Sequence, residues 1–94
     1  MQDMAVKKMK RLKDPSLRQS MNVTGANIRA ARLKAGLTQR QLSERLETLA
    51  VYICRGSLSR IEGGERIVTD FELKALSEVL KTPVERLFFP EGMD

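Results

Sequence analysis

The sequence contains no histidine, no tryptophan and a single cysteine, Cys54. Without histidine, most zinc sites, His-based catalytic triads and the commonest general base are excluded. One cysteine cannot form a disulfide within the chain, which fits the reducing cytosol. We therefore expect no enzyme activity, no catalytic residues, no metal ion and a cytoplasmic location.

Aromatic residues and long apolar runs are also scarce. Aromatics make up 4% of the chain, so the core must be built from Leu, Ile, Val and Ala. The longest uncharged apolar run, 48–54, is far shorter than the roughly 20 residues of a membrane span, and the N-terminus lacks the apolar core of a secretory signal. Gly63-Gly64 lacks the spacing and the Lys-Ser/Thr of a phosphate-binding loop. We expect no membrane segment, no cofactor and no small-molecule ligand.

The chain is long enough for one domain, and its charge is distributed unevenly along the sequence. Its 94 residues are 41% hydrophobic and 31% charged, with a net charge of +5. Residues 1–20 and 21–68 each carry +4, whereas 69–94 carry −3. This polarity suits a polyanion bound on one face, although charge drift of this size also arises by chance. We predict a basic N-terminal arm over 1–23, either solvated or in contact with nucleic acid, and a folded domain over 24–94.

Helix start and stop signals in that domain predict five short helices and no strand. The first covers about 25–35, capped by Thr24 and closed by Gly36 in the left-handed conformation. A capping box, Thr38 with Gln41, opens a second helix that ends between residues 46 and 49, with Leu49 on its apolar face.

The remaining helices follow an ambiguous stretch, 48–54, which we interpret as a loop. A third helix over 55–62 points Leu58 and Ile61 inward. The fourth opens at a Thr69/Glu72 capping box and runs to residue 80, and the fifth opens at a third box, Thr82 with Glu85, and ends near residue 88 or 89.

Three segments in register carry a family resemblance. They read IRAARLKAGLTQRQLS (28–43), SLSRIEGG (57–64) and LKALSEVL (73–80). Over about residues 25–88 the sequence resembles the lambda repressor/Cro-like (XRE) family of DNA-binding domains. The resemblance implies an all-α, five-helix lambda repressor-like bundle that contains a helix-turn-helix.

The resemblance also implies a function: a sequence-specific transcriptional regulator that binds double-stranded DNA, as a homodimer, with helix 55–62 in the major groove. The DNA-binding residues expected on this basis are Thr38, Gln39, Arg40, Arg55, Gly56, Ser57, Ser59, Arg60 and Arg66. Thr38, Gln39 and Arg66 would meet phosphates, and those at 55–60 would face base edges, whereas Arg40 is expected to contact DNA with no particular group assigned. Arg32 and Glu62 would form a structural ion pair.

One departure from the family pattern is an elongated turn. Eight residues, 47–54, lie between Leu46 and Arg55, about five more than the family usually has. Cys54 stands where Ser or Thr usually caps the third helix, and we expect it to be buried as a small hydrophobe. The turn leaves the docking angle open. It also motivates the alternative that the chain is a protein-interaction module that retains the fold without specific DNA binding.

The last helix supplies the candidate dimer interface, Val84 to Phe89. Because Phe88 and Phe89 are adjacent, we expect one to face the core and the other to be exposed as an anchor for a second copy.

Overall fold

The computed structural model describes residues 20–90, which form five α-helices. Their bounds are Gly25–Lys34 (α1), Gln39–Glu47 (α2), Arg55–Glu62 (α3), Asp70–Leu80 (α4) and Val84–Phe88 (α5). Within this range there is no strand, so the all-α prediction is confirmed. Most of the predicted arm, 1–23, lies outside the described residues.

The core is aliphatic, as the shortage of aromatics predicts, and it draws on all five helices. Each helix contributes at least one fully or almost fully buried apolar side chain to it. The buried hydrophobic residues are Ile28, Leu37, Leu42, Leu46, Ile53, Leu58, Ile61, Ala75, Leu76, Leu80 and Leu87. This shared core fixes α2 and α3 against α1 and α4.

Two of the three predicted capping boxes are confirmed. Thr38 accepts a hydrogen bond from the Gln41 N–H at 3.0 Å, and the Gln41 side chain accepts from the Thr38 N–H at 2.9 Å. Thr69 and Glu72 make the same reciprocal pair at the start of α4. Gly36 adopts φ 73°, the left-handed conformation predicted for the residue that closes α1.

The side chains of the other two predicted caps make no capping hydrogen bond. Thr24 is the N-cap residue of α1 as predicted, but its backbone is helical rather than extended and its buried side chain caps nothing; Asn22 Oδ1 accepts from the Gly25 N–H at 2.7 Å. Thr82 does not cap α5, whose N-cap is Pro83. The Thr82 hydroxyl donates instead to the carbonyl of Leu80, the last residue of α4, at 3.0 Å.

Two predicted burials of apolar side chains are wrong: that of Leu49 and that of one of the two adjacent phenylalanines. Leu49 is exposed, because α2 ends at Glu47 and the chain leaves the helical register. Neither Phe88 nor Phe89 faces the core, since Leu87 fills that position of α5 completely. Both aromatic rings therefore remain on the surface.

Two of the residues that the prediction assigned to the arm, Met21 and Asn22, are hydrogen bonded to the end of α3 and to the loop after it. The Met21 N–H donates to the Gly64 carbonyl at 2.6 Å. Asn22 Nδ2 donates to the carbonyls of Ile61 and Arg66 at 3.0 and 2.7 Å. The chain thus enters the fold beside the C-terminus of α3.

Candidate functional site

Helix α3 has one apolar face and one open polar face. Leu58 and Ile61 are fully buried, which directs the opposite side of the helix to solvent. Arg55, Gly56, Ser59 and Arg60 are exposed there, and Ser57 is half-buried. Two guanidinium groups and two hydroxyls are therefore presented together on one short helix.

Gly56 lies on this open face, and the fold does not require a glycine at this position. A Cβ atom built at this position has nothing within 4 Å, and the residue has no positive φ. Glycine inside a helix costs about 0.5–1 kcal/mol relative to alanine. The fold gains nothing from this glycine, which leaves space on α3 for the close approach of another molecule.

The buried pair Arg32–Glu62 joins α1 to the end of α3. Arg32 Nε lies 2.7 Å from Glu62 Oε2, and Arg32 Nη2 lies 2.9 Å from Oε1. Their side chains are only 8% and 2% exposed. Arg32 Nη1 also donates to the Leu37 carbonyl at 2.8 Å, so each of the three guanidinium nitrogens has a hydrogen-bond partner.

Gln39 extends this pair to a third helix. Its Nε2 donates to Glu62 Oε1 at 3.1 Å, which ties the first residue of α2 to the last residue of α3. We call Arg32, Gln39 and Glu62 the interhelical clamp. The prediction had Gln39 bonding a phosphate; in the structure one of its amide hydrogens is already engaged, and its Oε1 and second amide hydrogen are left for other contacts.

The starts of α2 and α3 border one groove. Its lining residues are Arg32, Thr38, Gln39, Arg40 and Arg55. The N–H groups in the first turn of any α-helix lack intrahelical acceptors and carry a partial positive charge. Together with the nearby guanidinium groups, they give this groove the chemistry of an anion site. The predicted residues 38–40 and Arg55 are thus brought together.

The elongated turn, of which residues 48–54 follow the end of α2, is held to that helix by several hydrogen bonds. The Val51 N–H donates to the Leu46 carbonyl at 3.1 Å, and Ser43 Oγ donates to the Ile53 carbonyl at 2.6 Å. Ile53 is buried, and Tyr52, which lies between Val51 and Ile53, is exposed. The sequence analysis did not select Tyr52. Its apolar neighbours Val51 and Ile53 could have indicated its exposure, because side chains alternate along an extended segment.

Cys54 is exposed, so its predicted burial is wrong. Side chains alternate along the extended end of the turn, and burial of Ile53 turns the next side chain outward. Cys54 is the N-cap residue of α3, and its Sγ lies 3.4 Å from Ser57 Oγ. Hydrogen bonding by Ser57 is the main reason why the pKa of the Cys54 thiol is lowered.

Arg66, expected at a phosphate, is engaged within the fold. Its Nη1 and Nη2 lie 3.0 and 2.8 Å from the two carboxylate oxygens of Glu72, and Nη1 also donates to the Ile67 carbonyl at 2.9 Å. The side chains are 29% and 14% exposed. This pairing lowers the pKa of Glu72. A phosphate contact would have to compete with this ion pair, so the geometry points to a structural role for Arg66.

Comparison with known proteins places these features in a family. The family model described as helix-turn-helix matches residues 28–87, which include α2, the elongated turn and α3. No curated protein and no solved structure matches the chain. Within residues 20–90, no helix is long and apolar enough to cross a membrane, and no group of three or more potential ligands could hold a metal ion.

Proposed function

Because the chain belongs to the helix-turn-helix family of the lambda repressor/Cro-like (XRE) type, we propose that it is a sequence-specific transcriptional regulator. In this proposal α3 enters the major groove of double-stranded DNA. The observation that carries the proposal is the open face of α3, with two exposed arginines and a glycine that the fold does not require.

Each side chain on that face has a role that its chemistry supports. Arg55 and Arg60 are suited to bidentate hydrogen bonds with O6 and N7 of guanine. Ser57 and Ser59 add short hydroxyl donors, and Gly56 lets the helix backbone come close to the base edges. The interhelical clamp holds α3 in position from behind, so little ordering is left for the moment of binding.

The groove at the start of α2 is the proposed phosphate contact. Thr38, Gln39 and Arg40 border it, and a phosphate there would meet the positive end of the helix as well as the Arg40 side chain. Arg66 is left out of this set because Glu72 already occupies its guanidinium group.

We further propose that the regulator binds as a homodimer through α5. Val84, Phe88 and Phe89 are exposed together on and just after this short helix, although all three are apolar. Joining two copies there would allow two α3 helices to reach half-sites about one DNA turn, roughly 34 Å, apart.

The decisive experiment compares two arginines that change the net charge equally. An operator is first selected from a random duplex pool. Affinities for this operator and for a random duplex are then measured over a range of salt concentrations for the parent, Arg60→Ala and Arg45→Ala. Arg45 is an exposed residue of α2 that lines a groove with α4 residues, away from the open face of α3 and from α5, so it reports the loss of bulk charge alone.

We expect Arg60→Ala to weaken operator binding by about 1–3 kcal/mol and to leave the random duplex almost as well bound, because a base contact is lost. Arg45→Ala should have little effect on either duplex. Equal weakening of both duplexes by Arg60→Ala would mean that Arg60 meets a phosphate. A parent protein without salt-dependent duplex binding would refute DNA recognition and favour the interaction module, since each phosphate contact contributes about −0.9 to the log–log salt slope.

A further inference from the structure

The elongated turn presents one aromatic side chain beside α3. Tyr52 is 76% exposed, yet it lies between two residues whose backbones are hydrogen bonded to α2. Because the backbone on both sides of Tyr52 is already hydrogen bonded, binding would have to order the side chain but not the chain that carries it. The turn therefore holds the backbone of Tyr52 in place beside α3.

The position of the ring is set by its neighbours. Tyr52 lies two residues before the N-cap of α3 and lines a groove together with Arg40 and Arg55. Two residues span at most about 7 Å of chain, so the phenol sits next to the end of the helix proposed to enter DNA. A side chain just outside the groove-filling helix is placed to meet the sugar-phosphate rim rather than the base edges.

The charges around Tyr52 balance. The same groove contains the carboxylates of Glu44 and Glu47 as well as the two guanidinium groups, so no net positive charge attracts a phosphate there. A contact made by Tyr52 must therefore come from its hydroxyl donor and its ring, both of which act at short range. Phenol hydroxyls are among the usual donors to phosphate oxygens in protein–DNA interfaces.

We propose that Tyr52 is a DNA-backbone contact contributed by the elongated turn: its hydroxyl donates to a phosphate oxygen, and its ring packs against the adjacent deoxyribose. The proposal rests on the proposed function, because it requires α3 to be in the major groove. It gives the extra turn residues a binding role, beside the arginines of α3.

The first measurement needs no substitution. Tyr52 is the only tyrosine of a chain without tryptophan, so the intrinsic fluorescence of the protein comes from this ring. With correction for absorption by DNA, acrylamide should quench this emission efficiently in the free protein and several-fold less in the operator complex. Equal quenching in the free and bound states would overturn the contact.

The second measurement compares Tyr52→Phe, Tyr52→Ala and Leu49→Ala on the operator and the random duplex. Leu49 is the matched control because it belongs to the same turn but lines a separate groove with Glu78 and Val79 of α4. We expect Tyr52→Phe to weaken binding to both duplexes about threefold and Tyr52→Ala about tenfold, in line with the loss of one hydrogen bond and then of the ring. Leu49→Ala should bind within twofold of the parent. Thermal unfolding of each variant verifies that the fold is kept.

The salt dependence separates this contact from the charged ones. A neutral phenol releases no counterion, so Tyr52→Ala should leave the salt slope of the parent unchanged while it lowers affinity. Operator binding by Tyr52→Ala within twofold of the parent would refute the proposal. If Tyr52→Ala lost affinity for the operator but not for the random duplex, Tyr52 would be a base contact, and the proposed backbone contact would also be refuted. Failure of the proposed function looks different, since the parent itself would then show no salt-dependent binding.

Discussion

Replacement of Glu62 by alanine removes the shared partner in the interhelical clamp. The carboxylate accepts two hydrogen bonds from Arg32 and one from Gln39. After the substitution the Arg32 guanidinium keeps only its bond to the Leu37 carbonyl, in a site where the side chain is 8% exposed. A buried cation is then left without its counter-charge.

The expected cost follows from that burial. Removing one partner of a buried ion pair typically costs about 3–5 kcal/mol, and the bond to Leu37 that remains places Glu62→Ala near the lower end, about 3 kcal/mol. In a domain of this size each kcal/mol corresponds to about 4–8 °C, so the melting temperature should fall by roughly 12–24 °C. Urea unfolding followed by circular dichroism gives the free energy of unfolding directly.

Glu72→Ala is the matched control, because it breaks the other bidentate Arg–Glu pair of the described chain. That pair is more exposed, at 29% and 14%, so its loss, together with that of the α4 capping box, should cost only about 1 kcal/mol. Glu62→Gln keeps the shape of the side chain and should fall between the parent and Glu62→Ala, which keeps the test valid if Glu62→Ala does not fold. A Glu62→Ala variant no less stable than Glu72→Ala would refute the reasoning.

Two further predictions concern α5 and the Arg66–Glu72 pair. Phe89→Asp should shift the parent from dimer towards monomer in sedimentation at micromolar concentration without DNA, because a charge would be buried in the proposed interface; an equally dimeric variant would place the interface elsewhere. The lowered pKa of Glu72 means that its ion pair stabilises the fold fully above the ordinary glutamate pKa and is lost as the pH falls through the lowered folded value. The difference in unfolding free energy between the parent and Glu72→Gln should therefore shrink from about pH 7 to about pH 3, and a difference that stays constant would contradict this assignment.

Local signals predicted the helices well, because the residues that cap one end of a helix lie within a few positions of one another in the sequence. The boxes at Thr38 and Thr69 need only a partner three residues away, and both are present. Thr24 and Thr82 carry the same kind of signal. Neither side chain makes a cap, because the backbone of Thr24 is helical and Pro83 takes the N-cap position of α5, and composition alone indicates neither outcome.

Contacts between distant residues limited the prediction of the site. The open face of α3 follows from helical periodicity, and its residues are exposed as that periodicity requires. The hydrogen bond from Gln39 to Glu62 spans 23 positions, and no local pattern indicates it. The partner of Arg66 is set by the path of the loop before α4, which is why a cation that looks free in the sequence is paired in the fold.

The clamp and the elongated turn divide the α2–α3 unit into two parts that can change independently. The clamp fixes where α3 lies against α1 and α2, and it makes no hydrogen bond to the turn. The turn is fastened separately, through Ser43 and Leu46 of α2. Substitutions at the exposed turn position 52 can thus alter what the protein touches without altering the pose of α3. For a protein engineer, or for natural selection, this makes the turn a site where binding preferences can diverge while the scaffold stays intact.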